Sequence, residues 1–301
     1  MSQRQRMATA GVVFVNIMWG LSFIGSKRSL AAGMQPFSLV AVRFLAATLV
    51  LFPITKLTGG SLKIGKKDVP GLALSALLGV TVYFFFELNG LSHLSASTAA
   101  LIIALIPVFT MIAGMIFRHN RPGARAFAGT AAALLGVYLV SKGDGNADSF
   151  IGVLFMLGAC LCWVVYGEVT DRLLTHLDCM TVTCWQSLFS LISLLPLMLT
   201  EKVEWQAIPF DAWMWSAVFL GVICSALCYI LYNNSIAQLS PERTALYLNL
   251  NPVAAALGSL FILGEEMSLR QVVGGVIILA SLFLVNRSTK TKTSEASGSN
   301  S

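Results

Sequence analysis

The chain is a succession of apolar stretches separated only by short polar breaks. Most of these stretches are about 18 to 24 residues long, the length that an α-helix needs to cross roughly 30 Å of hydrocarbon. Hydrophobic residues make up 56% of the chain and charged residues only 11%, so a soluble globule would lack the polar residues to cover its surface. The sequence therefore predicts an all-α integral membrane protein. Ten transmembrane helices are expected, at 10–31, 36–57, 70–91, 94–117, 123–141, 149–171, 178–199, 211–237, 240–263 and 269–287.

The basic residues gather on one predicted side of the membrane. With the N-terminus inside, most Lys and Arg residues fall in cytoplasmic segments. The opposite side receives only Lys27, Arg28, Lys142, Lys202 and Arg270. This asymmetry predicts a multi-pass protein of the cell membrane, plasma or inner, with both termini in the cytoplasm. Residues 288–301 are rich in Ser, Thr and Lys, and we expect a disordered cytoplasmic tail there.

Two classes of function are disfavoured by the residues themselves. The net charge of +6 does not indicate nucleic-acid binding, because Lys and Arg lie at the ends of apolar runs rather than on one basic face. The six cysteines lie inside or at the edges of apolar segments, so we interpret them as small buried residues rather than disulfides or metal ligands. No nucleophile and base, paired acids or ATP-binding lysine loop occurs at a suitable spacing. We expect no enzyme activity, no metal and no cofactor.

The second half of the chain repeats the first. Asn89 and Pro107 match Asn234 and Pro252 at a constant spacing of 145 residues, and Arg43 matches Gln186 at a spacing of 143. Each repeat holds five predicted spans, an odd number, so the two copies insert with opposite orientation. The sequence thus predicts two inverted five-helix repeats, at 8–143 and 148–287. Such halves can exchange conformations around a midplane site, which is alternating access, although duplication that only enlarged a scaffold is an alternative.

Several motifs resemble one transporter family. Trp19-Gly20 lies near the middle of the first span with Lys27 eight residues on, and Gly264-Glu265 closes the ninth span. The fourth and ninth spans are both of the Ala-Leu…Pro type. This pattern resembles the drug/metabolite transporter superfamily, EamA type, over about residues 8 to 287. The resemblance implies a ten-helix bundle with a central cavity that moves metabolites such as amino acids, often outward. The chain departs from the family pattern at Cys162 to Gly167, where a second Trp-Gly is replaced.

Arg43 and Glu87 are the strongest candidates for a charged substrate site. A charge at the bilayer centre costs roughly 2.5 to 3.5 kcal/mol on insertion scales, so it must face protein or water. Arg43 lies about 10 Å and Glu87 about 6 Å from the outer ends of their spans, by helical rise. The two side chains can therefore pair at similar depth, with Lys27 nearby. A structural ion pair and a role in substrate or proton binding are both open.

Polar and aromatic stripes mark further candidates for a cavity wall. On the first span Asn16, Trp19, Phe23 and Lys27 share one face, and on the ninth span Arg243, Tyr247 and Asn251 do so. Each aromatic residue can instead face lipid or pack in the interior. The remaining candidates are Tyr83, Trp163, Tyr166, Gln186, Tyr229 and Asn233.

Pro107 and Pro252 lie mid-span at equivalent positions of the two repeats. Each proline removes a helical donor and leaves the carbonyl four residues back without its usual partner. Paired breaks of this kind indicate a binding site or hinge, and a packing kink is the alternative. Small residues four apart, such as Gly71, Ser75 and Gly79, let helices approach closely, for packing or for a possible homodimer contact.

These features predict a secondary-active transporter of a small polar or zwitterionic metabolite, with the lipid bilayer as its solvent. Export of amino acids or related compounds is the favoured activity. Arg43 would bind a carboxylate, Glu87 would bind a cation or couple protons, and the aromatic residues would enclose the apolar part. Import of an organic cation such as a quaternary amine, and a passive channel of the same fold, are the alternatives.

Overall fold

The protein is described by a computed structural model that covers residues 2–93, 102–103, 105–117, 123–141, 150–258, 261–262, 269–270, 272–277 and 280–281. These residues form helices and contain no strand. Among the described residues five helices are uninterrupted, and we number helices in chain order by predicted span: α1 Gln3–Ala31, α2 Pro36–Leu57, α5 Ala124–Ser141, α6 Phe150–Leu174 and α7 Cys179–Met198.

The other four helices contain a change of helical type or only part of the predicted span. Helix α3 runs through Val69–Ala76, the π-helical Leu77–Val82 and Tyr83–His93. Helix α8 runs through Phe210–Met214, the π-helical Trp215–Leu227 and Cys228–Leu239. Helix α9 comprises Pro241–Leu246, the 3-10 turn Tyr247–Asn249 and Leu250–Gly258, and α4 is described over Ile106–Phe117.

The observed helices follow the predicted spans closely. Within the described part of the chain, six helices are long and apolar enough to cross a membrane. Helix α1 begins seven residues before its predicted span, because the Ser2 hydroxyl and the Gln5 side chain form a reciprocal capping box that extends the helix through polar residues. The tenth span is described only in short stretches, of which 272–277 is helical. The predicted tail at 288–301 lies outside the described residues.

Helix packing obeys the symmetry of an inverted repeat. Helix α1 packs on α8 and α9, and its counterpart five helices on, α6, packs on α3 and α4. In the same way α2 packs on α8 while α7 packs on α3, and the equivalent helices α2 and α7 pack on each other. Each of these contacts therefore has its counterpart in the other repeat.

The two π-helical segments also occupy equivalent positions. Leu77–Val82, moved by the repeat spacing, falls on the last six residues of the segment Trp215–Leu227. A π-helical turn widens the helix and leaves backbone carbonyls available to other donors, and such turns are frequent at functional sites. Gly79 lies against Tyr166, and the Cys224 carbonyl accepts a hydrogen bond from Trp19. The widened turns therefore face the centre of the bundle.

Both mid-span prolines lie just after an interruption of their helices. The 3-10 turn Tyr247–Asn249 ends three residues before Pro252. In the other repeat Leu105 forms a turn two residues before Pro107, and the α-helix begins at Ile106. The breaks that the prolines predict are therefore present in both repeats, and their use as hinges stays a prediction.

The predicted small-residue face of α3 packs inside the chain. A Cβ atom added at Gly71 would lie 3.3 Å from Leu173, and one added at Gly79 would lie within 3 Å of the Tyr166 ring. Because both neighbours belong to α6, this face brings α3 and α6 together. Many large apolar side chains on the outside of the helices, such as Leu49 at 65% exposure, are left to contact lipid.

Candidate functional site

An aromatic cluster fills the middle of the bundle where the two repeats meet. The Trp19 and Trp163 rings lie 5.4 Å apart in an edge-to-face arrangement, and Tyr83 lies 5.0 Å from Trp163. The cluster joins helices α1, α2, α3, α6 and α8. Its members are Trp19, Phe44, Tyr83, Trp163, Tyr166, Tyr229 and Tyr232.

The cluster is anchored to the two π-helical segments. The indole nitrogen of Trp19 donates a hydrogen bond to the Cys224 carbonyl at 2.9 Å. The Tyr229 hydroxyl donates to the Gly79 carbonyl at 3.3 Å. Because Gly79 and Cys224 are equivalent in the two repeats, the widened turns supply acceptors to the same cluster from opposite sides.

Arg43 is buried beside this cluster. Its side chain is 5% exposed, its Nε donates to the Ser225 hydroxyl at 3.3 Å, and its guanidinium carbon lies 5.3 Å from the centre of the Phe84 ring. The Ser225 hydroxyl is neutral, and the Phe84 ring contributes cation–π attraction. Neither partner carries an opposite charge. The guanidinium is therefore placed to bind an anionic group.

Glu87 lies in the same part of the bundle and is 6% exposed. Its carboxylate accepts a hydrogen bond from the Tyr83 hydroxyl at 3.3 Å. The direct Arg43–Glu87 pair that the sequence allows is not formed: neither a hydrogen bond nor an ion pair within 4.0 Å joins these two described side chains. The site thus holds a guanidinium and a carboxyl group, each bound directly to a neutral partner.

Gln186, the residue equivalent to Arg43, is the centre of a neutral hydrogen-bonded network. Its amide nitrogen donates to the hydroxyls of Ser75 and Thr170, both at 2.9 Å. Its amide oxygen accepts from Asn233 Nδ2 at 2.9 Å. The same Asn233 nitrogen donates to Thr183 at 3.0 Å, and its Oδ1 accepts from the Tyr166 hydroxyl at 2.6 Å. We call Ser75, Tyr166, Thr170, Thr183, Gln186 and Asn233 the polar network.

The structure separates these groups by depth. We call the end of the bundle that carries the first residue of α1 the N-terminal face, and it also carries the first residues of α3 and α7. By helical rise, Thr183 and Gln186 lie about 6 and 10 Å in from this face along α7. Arg43 lies about 10 Å in from the opposite face along α2. The aromatic cluster reaches from one to the other, because Phe44 follows Arg43 on α2 and Tyr166 belongs to the polar network.

The stripe on α1 contributes Trp19 to the aromatic cluster, whereas its residue Asn16 bonds within its own helix. Asn16 is fully buried, and its amide nitrogen donates to the Val12 carbonyl within its own helix. Tyr247 is buried and Asn251 partly buried, at the break in α9. Tyr247 belongs to the same buried core as the aromatic cluster. The Phe23 side chain lies outside the described residues.

No metal centre is found where the structure describes the chain. No three His, Cys, Asp or Glu side chains among these residues come together in a way that would hold an ion. The six cysteines are unpaired with one another, and five of them are buried.

Comparison with known proteins gives this architecture a family. Residues 7–142 and 150–287 each match the EamA-like transporter family, one match for each half of the chain. The chain belongs to the EamA-like transporter family. The transporter therefore has the ten-helix fold of two repeats that its sequence predicts, and it is a multi-pass membrane protein rather than an enzyme.

Individual relatives agree with this assignment. The transporter is 29% identical to a "Probable terminal-alkyne amino-acid exporter" from Streptantibioticus cattleyicolor, over 77% of each chain. It is 26% identical to an "Uncharacterized transporter" from Archaeoglobus fulgidus, over 89% of this chain and 93% of that protein. A solved crystal structure with 16% identity shares the fold with a TM-score of 0.77, covering 94% of this chain and 97% of its own.

The sequence patterns did not identify most of the hydroxyl groups that surround these candidate residues. Ser225, Tyr232, Thr170 and Thr183 were not singled out, and Ser75 was interpreted as a packing residue. A signal for some of them exists on α7, where residues 183, 186, 187 and 190 are Thr, Gln, Ser and Ser on one helical face. Hydroxyl groups are common in transmembrane helices, so this pattern gains meaning only when the facing helices are known.

Proposed function

We propose that the transporter is a secondary-active exporter of small zwitterionic metabolites, such as amino acids or related compounds, in the cell membrane. The observation that carries this proposal is the buried Arg43 and Glu87, on neighbouring helices and without direct contact. A cation and an anion held apart in a low-dielectric interior are complementary to a molecule with both charges. The name of the Streptantibioticus relative, an amino-acid exporter, points to the same class of substrate.

Each side chain of the charged site has a role in this proposal. Arg43 binds the substrate carboxylate, and Glu87, oriented by the Tyr83 hydroxyl, binds the ammonium group or carries a coupled proton. Trp19 and Trp163 enclose the apolar part of the substrate. The inverted packing of the two repeats supplies the two alternating conformations, with Pro107 and Pro252 at the hinges.

The proposed orientation places the N-terminal face in the cytoplasm. The excess of Lys and Arg in the connections at that face supports it. Both termini then lie inside the cell, and an exporter takes up its substrate from the N-terminal face.

Counterflow in proteoliposomes tests the proposal. Vesicles loaded with unlabelled phenylalanine should take up labelled phenylalanine in a saturable way that depends on the internal substrate. The analogues phenethylamine, without the carboxylate, and phenylpropionate, without the ammonium group, should compete at least tenfold more weakly, since each leaves one buried charge unpaired. Choline as the best competitor would favour the organic-cation alternative. Linear uptake without exchange would indicate a channel.

Substitutions locate the site. Arg43→Gln and Glu87→Gln should each lower counterflow by about 10- to 100-fold, the effect of losing one charged hydrogen bond. Lys63→Gln and Glu204→Gln are matched controls, because they make the same chemical changes at exposed positions. Normal transport by folded Arg43→Gln protein would contradict the proposed site.

A further inference from the structure

A small cavity lies between the repeats on the N-terminal side of Arg43. It has a volume of about 10 Å³ for the centre of a water molecule, which is room for about one water. Its wall is rich in hydroxyl and amide groups, although it is surrounded by apolar helices. These groups are Ser75, Thr183, Gln186, Ser187, Ser190 and Ser225.

The cavity connects the charged site to the polar network. Ser225 lines the cavity and also accepts the hydrogen bond from Arg43 Nε. At the other end, Gln186 and Thr183 line the cavity and belong to the polar network. A row of polar groups therefore leads from Arg43 toward the N-terminal face.

The polar network closes this row. Its hydrogen bonds join four helices: Ser75 on α3, Thr170 on α6, Gln186 on α7 and Asn233 on α8. Helix α3 belongs to the first repeat and the other three to the second. Movement of α3 away from α7 would therefore break the bond between Gln186 and Ser75.

The close contact of α3 and α6 completes the closure. The Tyr166 ring lies against the backbone of Gly79, where an added Cβ atom would be within 3 Å of it. Nearer the membrane surface, His176 Nε2 lies 3.0 Å from the Asp68 carboxylate, so the connection after α6 is tied to the start of α3. These contacts seal the end of the cavity toward the N-terminal face.

We propose that this cavity is the passage for substrate between the charged site and the N-terminal face, and that the hydrogen bonds of Gln186 to Ser75 and Asn233 form its gate. The inference rests on the proposed alternating access. All members of the network are neutral, so opening the gate leaves amides and hydroxyls that water or the polar groups of the substrate can satisfy. Each interhelical hydrogen bond in a membrane protein contributes modestly, so the closed gate can open.

Thiol accessibility tests the gate without any substrate. Ser190 is fully buried and lines the cavity, so Ser190→Cys in a chain whose six cysteines are replaced by serine or alanine reports opening. A membrane-impermeant methanethiosulfonate should modify this thiol slowly when Gln186 is present. With Gln186→Leu, which removes three interhelical bonds, we expect modification to be about tenfold faster, and only from the N-terminal face of sealed vesicles.

Thr48→Val is the matched control. The Thr48 hydroxyl forms a 2.6 Å hydrogen bond with Ser187 between α2 and α7, so its loss removes an interhelical bond outside the network. The proposal is overturned if the thiol at position 190 is modified at the same rate in the Gln186→Leu and Thr48→Val proteins. It is also overturned if the faster reaction comes from the opposite face. Should Gln186→Leu protein fail to fold, Asn233→Ala gives the same test. Because no substrate is present, a failed gate and a failed counterflow experiment are distinguishable.

Discussion

The two repeats place different chemistry at equivalent positions of a symmetric scaffold. Arg43 on α2 corresponds to Gln186 on α7, and Glu87 on α3 corresponds to Tyr232 on α8. The first repeat thus buries two ionisable groups without a direct ion pair, whereas Gln186 of the second repeat is the centre of a neutral network that also includes Ser75 of the first. A buried charge favours a partner of opposite charge, while a neutral network can break and reform at little cost. In the proposed mechanism the symmetry of the repeats supplies the motion, and their different side chains separate substrate binding from gating.

The largest loss of stability is expected when the charge found at position 43 is introduced at the equivalent position 186. Gln186→Arg places a cation among hydroxyl and amide groups, and we expect it to destabilise the protein by on the order of 3 kcal/mol. Gln186→Met, of similar size and uncharged, should cost about 1 to 2 kcal/mol through lost hydrogen bonds. Thermal unfolding in detergent measures both. Equal stability of the two variants would mean that position 186 tolerates a buried charge as well as position 43 does.

The π-helical turns differ between repeats in side-chain volume, which Gly79→Ala tests. Position 79 has no room for a methyl group against Tyr166, whereas the equivalent position 224 carries a cysteine. We expect Gly79→Ala to lower stability by about 1 to 3 kcal/mol through overpacking. Gly11→Ala is the control, because its nearest neighbour would be at 3.5 Å and alanine favours the helix. A melting temperature that falls as much for Gly11→Ala would refute the steric argument.

Removing a tyrosine hydroxyl should cost more stability in the polar network than at the anchor of the aromatic cluster. Tyr166→Phe removes the 2.6 Å bond to Asn233 and leaves a buried acceptor without a donor, which should cost about 1 kcal/mol. Tyr229→Phe removes only a 3.3 Å bond to the Gly79 carbonyl, and we expect half of that effect or less. Unfolding measured side by side ranks the two. The reverse order would place the stronger constraint in the aromatic cluster.

The smallest effects belong to the ion pairs at the two ends of the bundle. Arg28 and Asp211 tie α1 to α8 with both side chains mostly exposed, so Arg28→Gln should change stability by less than about 1 kcal/mol, and less in high salt. Asp68 and His176 tie the equivalent helices at the N-terminal face. The hydrogen bond from His176 lowers the pKa of the Asp68 carboxyl group, which lies before the membrane-spanning part of α3.

This lowered pKa gives the second ion pair a pH dependence with a definite sign. The stabilisation is present above the ordinary carboxyl pKa and is lost as the pH falls through the lowered pKa of Asp68. In His176→Gln protein the pKa of Asp68 should rise toward its ordinary value, so the loss of stability on acidification should be smaller. Melting temperatures between about pH 3 and 6 measure this shift. Identical pH profiles for the two proteins would show that the contact does not act on Asp68.

The sequence predicted which charged side chains lie inside the bundle, but not the side chains that they contact. Arg43 and Glu87 were identifiable because an intramembrane charge is costly wherever the helices pack. Their direct pairing was allowed by depth along each helix, but depth does not fix which way a side chain points. Gln186 was a candidate for the cavity wall, and the structure places it in a network with Ser75, Thr170 and Asn233.

Length, hydropathy and the repeat spacing by themselves determined the ten-helix membrane fold. A bilayer forces every backbone polar group into a helix, so an apolar run of sufficient length has one solution. Only the tertiary structure decided that Arg43 meets Ser225 while Gln186 meets Ser75 and Asn233. Those contacts depend on the rotation of each helix against its neighbours. Within lipid, that rotation is set by small differences in packing and hydrogen bonding, which no single span encodes.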